Sequence, residues 1–257
     1  EIQILNEGNK LLSKKGVKIT SNDNLVFEGN EFEYDKLLQE LILSKNVIIS
    51  DTNKNIKIKT NKLKYLKKDQ KILTEDSTDI NINDKYIIKS ENIIFDRSKG
   101  ILSSNNNTSI KDDFNNQLLS SEFKFFIQEE LIKAKEVMIL DEMGNKTLLE
   151  NFFGNLNEGQ FLGKDVKINF DKKSLGNIEN DPRLYGNTIS SNKNISKISK
   201  GVFTTCKKND KCPPWEISAE EIIHDKNKKI INYKNAWLQI YDKPVFYFPK
   251  FFHPDPT

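Results

Sequence analysis

The chain has 257 residues, of which 36% are hydrophobic and 30% are charged, and its 40 basic and 37 acidic side chains are finely mixed. This apolar content is low for a compact globule with a thick core, so we predict a thin, elongated fold in which most residues touch solvent. A net charge of +3 without a long basic patch argues against a nucleic-acid-binding protein. Because no apolar run reaches about 18 residues, the sequence predicts no membrane-spanning helix.

Both ends of the sequence indicate a piece of a longer protein. The first residue is Glu1, with no methionine and no basic-then-apolar leader. We therefore expect either that a signal peptide has been removed or that the chain is truncated. The last four residues, Pro254 to Thr257, favour a continuation of the chain.

The N-terminal part of the chain is predicted to consist of short strands joined by turns. The alternation Ile2-Gln3-Ile4 predicts an opening strand, and the stretch from Gly16 to Asp96 then repeats one strand-and-turn unit three times. Alternation with a period of two places apolar side chains on one face of a sheet and lysines and asparagines on the other. Clusters of Asn and Asp between the strands predict turns, because their short side chains satisfy local backbone groups.

The strand-and-turn unit continues beyond this stretch with a period of about 30 residues, which indicates a stacked β array of two or three strands per unit. Each unit leaves an apolar face that its neighbours must cover. The leading apolar residues of six successive units are Val17, Val47, Ile80, Ile110, Val137 and Val166.

Four segments carry a weaker or different signal. Leu37 to Ile42 and Phe123 to Ala134 have spacings that also suit a helix, but both precede positions where the repeat places a strand. We therefore predict strands there, since tertiary context overrides weak local propensity. Glycines and asparagines in the segment 151–162 predict a kink or loop, whereas Val166 to Phe170 predicts a clean strand. The Asn-, Ser- and Gly-rich segment 176–200 predicts irregular backbone or short strands only.

The two cysteines, Cys206 and Cys212, lie close together in the sequence. In an oxidising compartment such a pair predicts a local disulfide, and the alternative is two reduced thiols in a loop. A zinc site would need two more soft ligands, and the only histidines are His224 and His253.

No group of residues predicts an active site. The segment Gly159 to Asp165 differs from a phosphate-binding loop in two ways. It has one residue too few between its two glycines, and it has Asp165 where the loop needs Ser or Thr. His224 and Asp225 are adjacent on a predicted strand, so their side chains point to opposite faces. We therefore predict a non-enzymatic protein with no catalytic residues, no metal and no cofactor.

The C-terminal stretch carries a resemblance to a known family. Its uncommon dipeptides occur in order as Thr204-Thr205-Cys206, Pro214 to Ala219, Asn235 to Leu238, Pro244 to Pro249 and His253 to Thr257. This series resembles the LptD family, the lipopolysaccharide-assembly proteins of the Gram-negative outer membrane, also called the OstA or organic-solvent-tolerance family. The repeat from Gly16 onward is similar to the N-terminal domain of that family, so the resemblance covers nearly the whole chain.

The resemblance implies an all-β fold, an elongated open β-jellyroll or β-taco of stacked short antiparallel strands. Residues 1–201 would form this OstA-like periplasmic domain, and residues 202–257 would supply the final strands, a Cys-containing loop and an aromatic and Pro-rich junction. That junction would lead toward an outer-membrane β-barrel not included in this chain. The family ties this domain to the barrel through disulfides, but no cysteine precedes Cys206. A local bond between Cys206 and Cys212 is therefore favoured over pairing with barrel cysteines.

The implied function is non-enzymatic transport of lipopolysaccharide. The domain would receive this lipid from a periplasmic LptA-like bridge protein and guide its acyl chains along an apolar groove, at the periplasmic face of the outer membrane. An LptE-like lipoprotein would be a partner through the barrel. The residues that we expect to line the groove are Val17, Ile19, Phe32, Val47, Ile49, Ile56, Ile58, Ile80, Ile82, Ile93, Val137, Ile139, Val166 and Ile168.

An open array also has edge strands with unpaired backbone groups. We expect the N-terminal edge, marked by Ile2, Ile4, Val17 and Ile19, to pair with a strand of the bridge protein. Two other functions remain open from the sequence. One is a stand-alone periplasmic lipopolysaccharide-binding bridge protein, and the other is a carbohydrate-binding or adhesive β-solenoid.

Overall fold

The computed structural model of the chain describes residues 2–113, 116–142, 144–171, 180–208 and 214–254. These residues form antiparallel β-strands joined by turns, with a single 3₁₀ turn at Asn6–Gly8. The all-β prediction is therefore confirmed. The chain divides into two compact units, Glu1–Gln128 and Glu129–Thr257, which we call unit 1 and unit 2.

Unit 1 contains fourteen strands. Their bounds are β1 Gln3–Leu5, β2 Lys10–Ser13, β3 Val17–Thr20, β4 Leu25–Gly29, β5 Glu31–Asp35, β6 Glu40–Asp51, β7 Ile56–Leu66, β8 Lys71–Ile82, β9 Tyr86–Glu91, β10 Ile94–Asp96, β11 Ile101–Ser104, β12 Thr108–Asp112, β13 Gln117–Ser120 and β14 Glu122–Phe126.

These strands form two sheets that share the three long strands β6, β7 and β8. The first sheet pairs β1, β2, β5, the first part of β6, the second part of β7, the first part of β8, β10, β11 and β14. The second sheet pairs β3, β4, the remaining parts of β6, β7 and β8, β9, β12 and β13. Each long strand thus passes from one sheet to the other, as in a β-jellyroll.

The long strands bend where their pairing register shifts. In β6 the shift lies between Ser44 and Val47, and the two residues between them, Lys45 and Asn46, have φ of 66° and 54°. The extra residue of a β-bulge sharpens the local twist and turns the strand. Strands of 11 and 12 residues therefore behave as two short strands, one in each sheet.

A row of buried hydroxyl groups follows the bend of unit 1. The Thr78 hydroxyl donates to Thr74 Oγ1 at 2.8 Å and lies 3.1 Å from Thr60 Oγ1, and Ser90 and Thr108 hydroxyls lie 2.7 Å apart. All five side chains are buried. Small hydroxyl side chains fit the narrow space where the two sheets converge, and they satisfy one another there.

In its described residues, unit 2 is a meander of eight strands, each paired with the next of these strands. Their bounds are β15 Leu131–Leu140, β16 Lys146–Asn155, β17 Gln160–Asn169, β18 Arg183–Ser191, β19 Ile195–Thr204, β20 Trp215–Asp225, β21 Ile230–Ile240 and β22 Lys243–Pro254.

Every strand of unit 2 also bends near its middle. The left-handed residues Glu136, Asp165, Lys200 and Asn235 occupy the bend on alternate strands, with φ between 48° and 53°. Small residues on the inner face beside the bend, such as Gly186, leave room for side chains of the other half. Unit 2 is thus one sheet folded along a line that crosses the middle of its strands. The first half is the side of this line on which β15 begins at Leu131, and the second half is the side on which β15 ends at Leu140.

The predicted turn chemistry is confirmed. Asp35, Asp51, Asp96 and Asp225 each end a strand, and each accepts a hydrogen bond at Oδ1 from a backbone N–H two or three residues later. The N–H to Oδ1 distances are 3.0 to 3.2 Å. The period of about 30 residues corresponds to two bent strands with their turns.

The structure refines one expectation and corrects another. Segment 151–162 contains the predicted loop as a turn at residues 156–159, and the rest of it is the end of β16 at Asn155 and the start of β17 at Gln160. Segment 183–200 carries β18 and most of β19 rather than irregular backbone. Polar residues mask these strands in the sequence, yet Leu184, Ile189 and Ile198 are buried.

The two segments with helical spacing are strands and turns, with Leu37 and Leu38 exposed in the turn before β6. The functional division predicted between residues 201 and 202 stays a prediction, and its position lies within β19. The antiparallel pairing also differs from the coils of a β-solenoid, on which the carbohydrate-binding alternative depended.

Candidate functional site

The interior of unit 1 is lined by two apolar rows that run across the strands. In the first sheet, directly paired positions form an unbroken row that begins on edge strand β1. This first row is Ile4, Leu11, Tyr34, Leu41, Tyr65, Ile72, Phe95, Leu102 and Phe125. Ile4 is 66% exposed, Leu11 and Tyr34 are half-buried, and the others are buried. The first row therefore passes from an open edge into a closed interior.

The second sheet of unit 1 presents the facing row. This second row is Ile19, Phe27, Ile49, Ile58, Ile80, Ile88, Ile110 and Leu118, again in direct register. Ile19 on edge strand β3 is half-buried and the remaining seven are buried. Because side chains alternate between the faces of a strand, this strict register keeps one apolar surface continuous over eight strands.

The fourteen residues predicted to line a groove all lie in strands or next to them, and none is fully exposed. Ten are buried, namely Phe32, Val47, Ile49, Ile56, Ile58, Ile80, Ile82, Ile93, Val137 and Val166. Val17, Ile19, Ile139 and Ile168 are half-buried. Side chains of the two sheets of unit 1 cover the buried members of that unit. Contact of these members with a lipid therefore requires the two sheets to part.

The predicted groove residues do not include most of the first row, such as Leu41, Phe95 and Phe125. A partial signal was available, because Leu41 and Leu43 are two positions apart on the strand that also carries Val47 and Ile49, although Ile42 between them is apolar too. The bulge between these pairs hides the alternation, since it inserts residues that break the period of two.

Unit 2 has a more accessible apolar row on the inner face of its second half. This third row is Ile139, Thr147, Ile168, Leu184, Phe203, Ile217, Leu238 and Phe246, in direct register across all eight strands. Leu184 is buried, most of the others are half-buried, and Phe246 on β22 is 58% exposed. The third row therefore becomes open toward the last strand.

The first half of unit 2 faces this third row with buried apolar side chains and with the Tyr233 and His253 side chains, which contact each other. Tyr233 Oη and His253 Nε2 are 3.0 Å apart, and the rings of Phe203 and His253 have centroids 6.5 Å apart across the fold. Burial raises the pKa of Tyr233 well above its ordinary value, so its hydroxyl stays protonated at neutral pH. The Phe251 and Tyr233 rings have centroids 5.6 Å apart and planes inclined by 43°, which makes this end of the interior aromatic.

The predicted edge strands are at the ends of their sheets in the part of the chain that the structure describes. There β1 pairs with β2 alone and β3 with β4 alone. Ile2 and Ile4 are exposed, and Val17 and Ile19 are half-buried. At the other end, β22 pairs with β21 alone. The backbone groups on the outer sides of β1, β3 and β22 are therefore available to another strand.

Cys206 is described and is not in a disulfide with another described residue. The Cys206 Sγ lies 3.5 Å from the Trp215 carbonyl oxygen. The Arg183 guanidinium donates a hydrogen bond to the Cys206 carbonyl oxygen. Cys212 lies outside the described residues, so the predicted bond between Cys206 and Cys212 stays a prediction.

The described ranges hold no cluster of side chains typical of a metal site. No set of three His, Cys, Asp or Glu residues there has the arrangement of a metal site. His224 is half-buried on β20, opposite Ser196 and Ile231. Within those same ranges, no helix has the length and apolar character needed to cross a membrane.

Comparison with known proteins adds little to this geometry. No family model and no curated protein sequence matches the chain. Among solved structures, the chain is similar to LptH of Pseudomonas aeruginosa, described as the LptA-homologous periplasmic component of the conserved lipopolysaccharide transport device. The likeness has a TM-score of 0.39 at 10% identity and covers 45% of this chain and 86% of LptH. So distant a likeness carries no argument about what this chain does.

Proposed function

We propose that this chain is a non-enzymatic lipid conduit that carries the acyl chains of lipopolysaccharide along its apolar interior. The observation that carries the proposal is the direct register of the three apolar rows. In unit 1 the first row begins at an exposed edge, and in unit 2 the third row ends at one. Within each unit, an acyl chain can pass from strand to strand along such a row without leaving apolar contact.

The physical need for such a conduit comes from the cost of exposing acyl chains. Each methylene contributes roughly 0.8 kcal/mol on burial, so several acyl chains cannot cross an aqueous compartment without cover. A two-sheet fold can hold the chains between its sheets while the sugar head group stays outside. Ile139 and Ile168 belong to the third row and are accessible as the structure stands.

The narrower assignment rests on the sequence resemblance to the LptD family. On that basis the chain is the periplasmic part of an outer-membrane lipopolysaccharide translocon, at the periplasmic face of that membrane. Residues 1–201 would form the groove, and residues 202–257 would lead to the barrel, where an LptE-like lipoprotein would bind. An LptA-like bridge protein would deliver the lipid by adding a strand to β1 or β3.

A stand-alone periplasmic bridge protein is the second candidate. The free outer sides of β1 and β3 in unit 1 and of β22 in unit 2 favour it, because a free edge strand in each unit would permit strand addition by neighbouring copies. Sequencing the gene past the codon for Thr257 separates the two candidates. A long barrel-forming continuation supports the translocon, and an early stop codon supports the bridge.

The transport proposal is tested by native mass spectrometry of the protein after mild extraction from its source. A bound species with the mass of lipopolysaccharide or lipid A is expected, and protein that is free of lipid in every preparation would contradict the proposal. Photocrosslinking from Ile4 and Ile19 tests the partner. An adduct with the bridge protein is expected at both positions, whereas a residue on the far side of unit 1 such as Lys111 should give none.

A further inference from the structure

A buried ion pair joins the two sheets of unit 1. The Arg97 Nε donates to Asp51 Oδ2 at 2.9 Å, and the two side chains are only 8% and 2% exposed. The other guanidinium nitrogens donate to the Gln70 Oε1 at 2.6 Å and to the Asp23 carbonyl oxygen at 3.0 Å. Arg97 is therefore held by three residues from three different turns.

These groups belong to opposite sheets. Asp51 ends β6 in the second sheet and Asp23 lies in the β3–β4 turn of that sheet. Arg97 follows β10, and Gln70 lies in the β7–β8 turn, both in the first sheet. All four lie at the rims farthest from the bend, where the strands turn back. We call this group of Asp23, Asp51, Gln70 and Arg97 the rim latch.

Two further contacts close the same rim. Lys54 Nζ, in the turn after Asp51, donates to the Arg97 carbonyl oxygen at 2.7 Å and also lies 5.8 Å from the Phe95 ring centroid. Farther along, the rings of Tyr86 and Phe125 meet across the sheets with centroids 5.7 Å apart. The bend and the rim latch together enclose the buried parts of both apolar rows.

The chemistry of the rim latch suits a contact that opens and closes. When the rims part, Arg97 and Asp51 regain water, so the loss of their mutual attraction is largely offset by hydration. A purely apolar rim would gain nothing from water on opening. Next to the latch, the buried Tyr65 hydroxyl lies beside the Arg97 and Gln70 side chains. Opening brings water to this hydroxyl as well as to the ion pair.

We propose that the rim latch gates unit 1, and that an acyl chain enters the space between the two sheets only when Arg97 and Asp51 separate. This inference rests on the proposed function and adds how access to the same interior is controlled. An acyl chain that enters replaces the contacts between the two apolar rows, so it stabilises the open state that it requires.

The experiment compares two crosslinked forms of the whole chain in a Cys206→Ser, Cys212→Ser background. Asn53→Cys with Lys99→Cys places thiols on exposed turns of opposite rims, and a bismaleimide then ties the sheets together. Asp69→Cys with Lys99→Cys is the matched control, because both turns belong to the first sheet and Arg97 N–H bonds the Gln70 carbonyl oxygen between them. Neither crosslink touches the ion pair.

The probe is a C16 fatty acid that carries a diazirine in its alkyl chain, and mass spectrometry maps the labelled peptides after irradiation. We expect the control and the uncrosslinked protein to be labelled on β6 to β8, and the opposite-rim crosslink to reduce that labelling by roughly tenfold or more. Equal labelling in both crosslinked forms would overturn the gate and leave the conduit standing. No interior labelling in any form would overturn both proposals.

Discussion

Phe27 and Tyr65 face each other across the interior of unit 1, with ring centroids 5.3 Å apart and planes inclined by 37°. Phe27 belongs to the second sheet and Tyr65 to the first, 38 positions later in the chain (65 − 27). Both are buried. This contact ties the two rows together at one point, so the stability of unit 1 depends on the rings that bridge its sheets.

Phe27→Ala should destabilise the protein by about 3–5 kcal/mol, because it leaves a cavity between the sheets as well as removing buried area. The measurement is urea-induced unfolding followed by far-UV circular dichroism. Phe252→Ala is the control, since that ring is 68% exposed on β22 and should change stability by less than about 0.5 kcal/mol. Equal effects of the two substitutions would show that the sheets do not pack as described.

Arg97→Met should destabilise unit 1 by about 3–5 kcal/mol, because it leaves the buried Asp51 carboxylate without a charged partner. The double substitution Arg97→Met with Asp51→Leu should recover most of this loss, since no unpaired charge remains. A double-mutant cycle by urea unfolding measures the coupling. The exposed pair of Lys18 and Glu28, at 2.9 Å, is the control, and Lys18→Met should cost no more than about 1 kcal/mol.

Gly186→Ala should destabilise unit 2 by about 1–3 kcal/mol, because a Cβ there would overlap the Ile198 Cγ2 and approach the Ser199 carbonyl oxygen to 3.2 Å. Adding Ile198→Ala should give partial rescue only, because it removes the overlap but creates a cavity. Gly16→Ala is the control, since no atom lies within 4 Å of the Cβ position. Thermal unfolding of the four proteins tests the close approach of the two halves.

Glu216→Gln should stabilise the protein at neutral pH. Burial raises the pKa of Glu216, Asp242 raises it further, and Arg183 lowers it in part. The folded state therefore holds the Glu216 proton more tightly than the unfolded state does. As a result, the free energy of unfolding falls as the pH rises from the pKa of Glu216 in the unfolded chain through its raised pKa in the folded protein. The gain in Tm over wild type should therefore vanish below about pH 4. A gain that persists unchanged at low pH would contradict the assignment.

Phe246→Asp should reduce lipid retention without unfolding the protein, because the side chain lies at the open end of the third row. Phe252→Asp is closely matched, since Phe252 is also exposed on β22 but its neighbour Phe251 occupies the inner face. Native mass spectrometry after extraction should show bound lipid lost or strongly reduced in the first variant only. Equal loss in both would place the lipid outside the fold.

The sequence by itself determined the all-β class, many of the strands and turns, and part of the apolar face. The period of two identifies one side of β6, β7 and β8, and carboxylates such as Asp35 and Asp51 mark where strands end. These features depend on residues near one another in the chain, so local patterns report them.

Only the tertiary structure decided where the strands bend, which rows face each other and what closes the rim. The bulge at Lys45 inserts a residue that breaks the alternation, and left-handed backbone at a Lys or at Asp165 has no strong sequence signal. The pairing of Asp51 with Arg97 joins residues 46 positions apart, on turns that meet only because two sheets fold together. Long-range contacts of this kind depend on the packing of the whole unit, which no single stretch of sequence encodes.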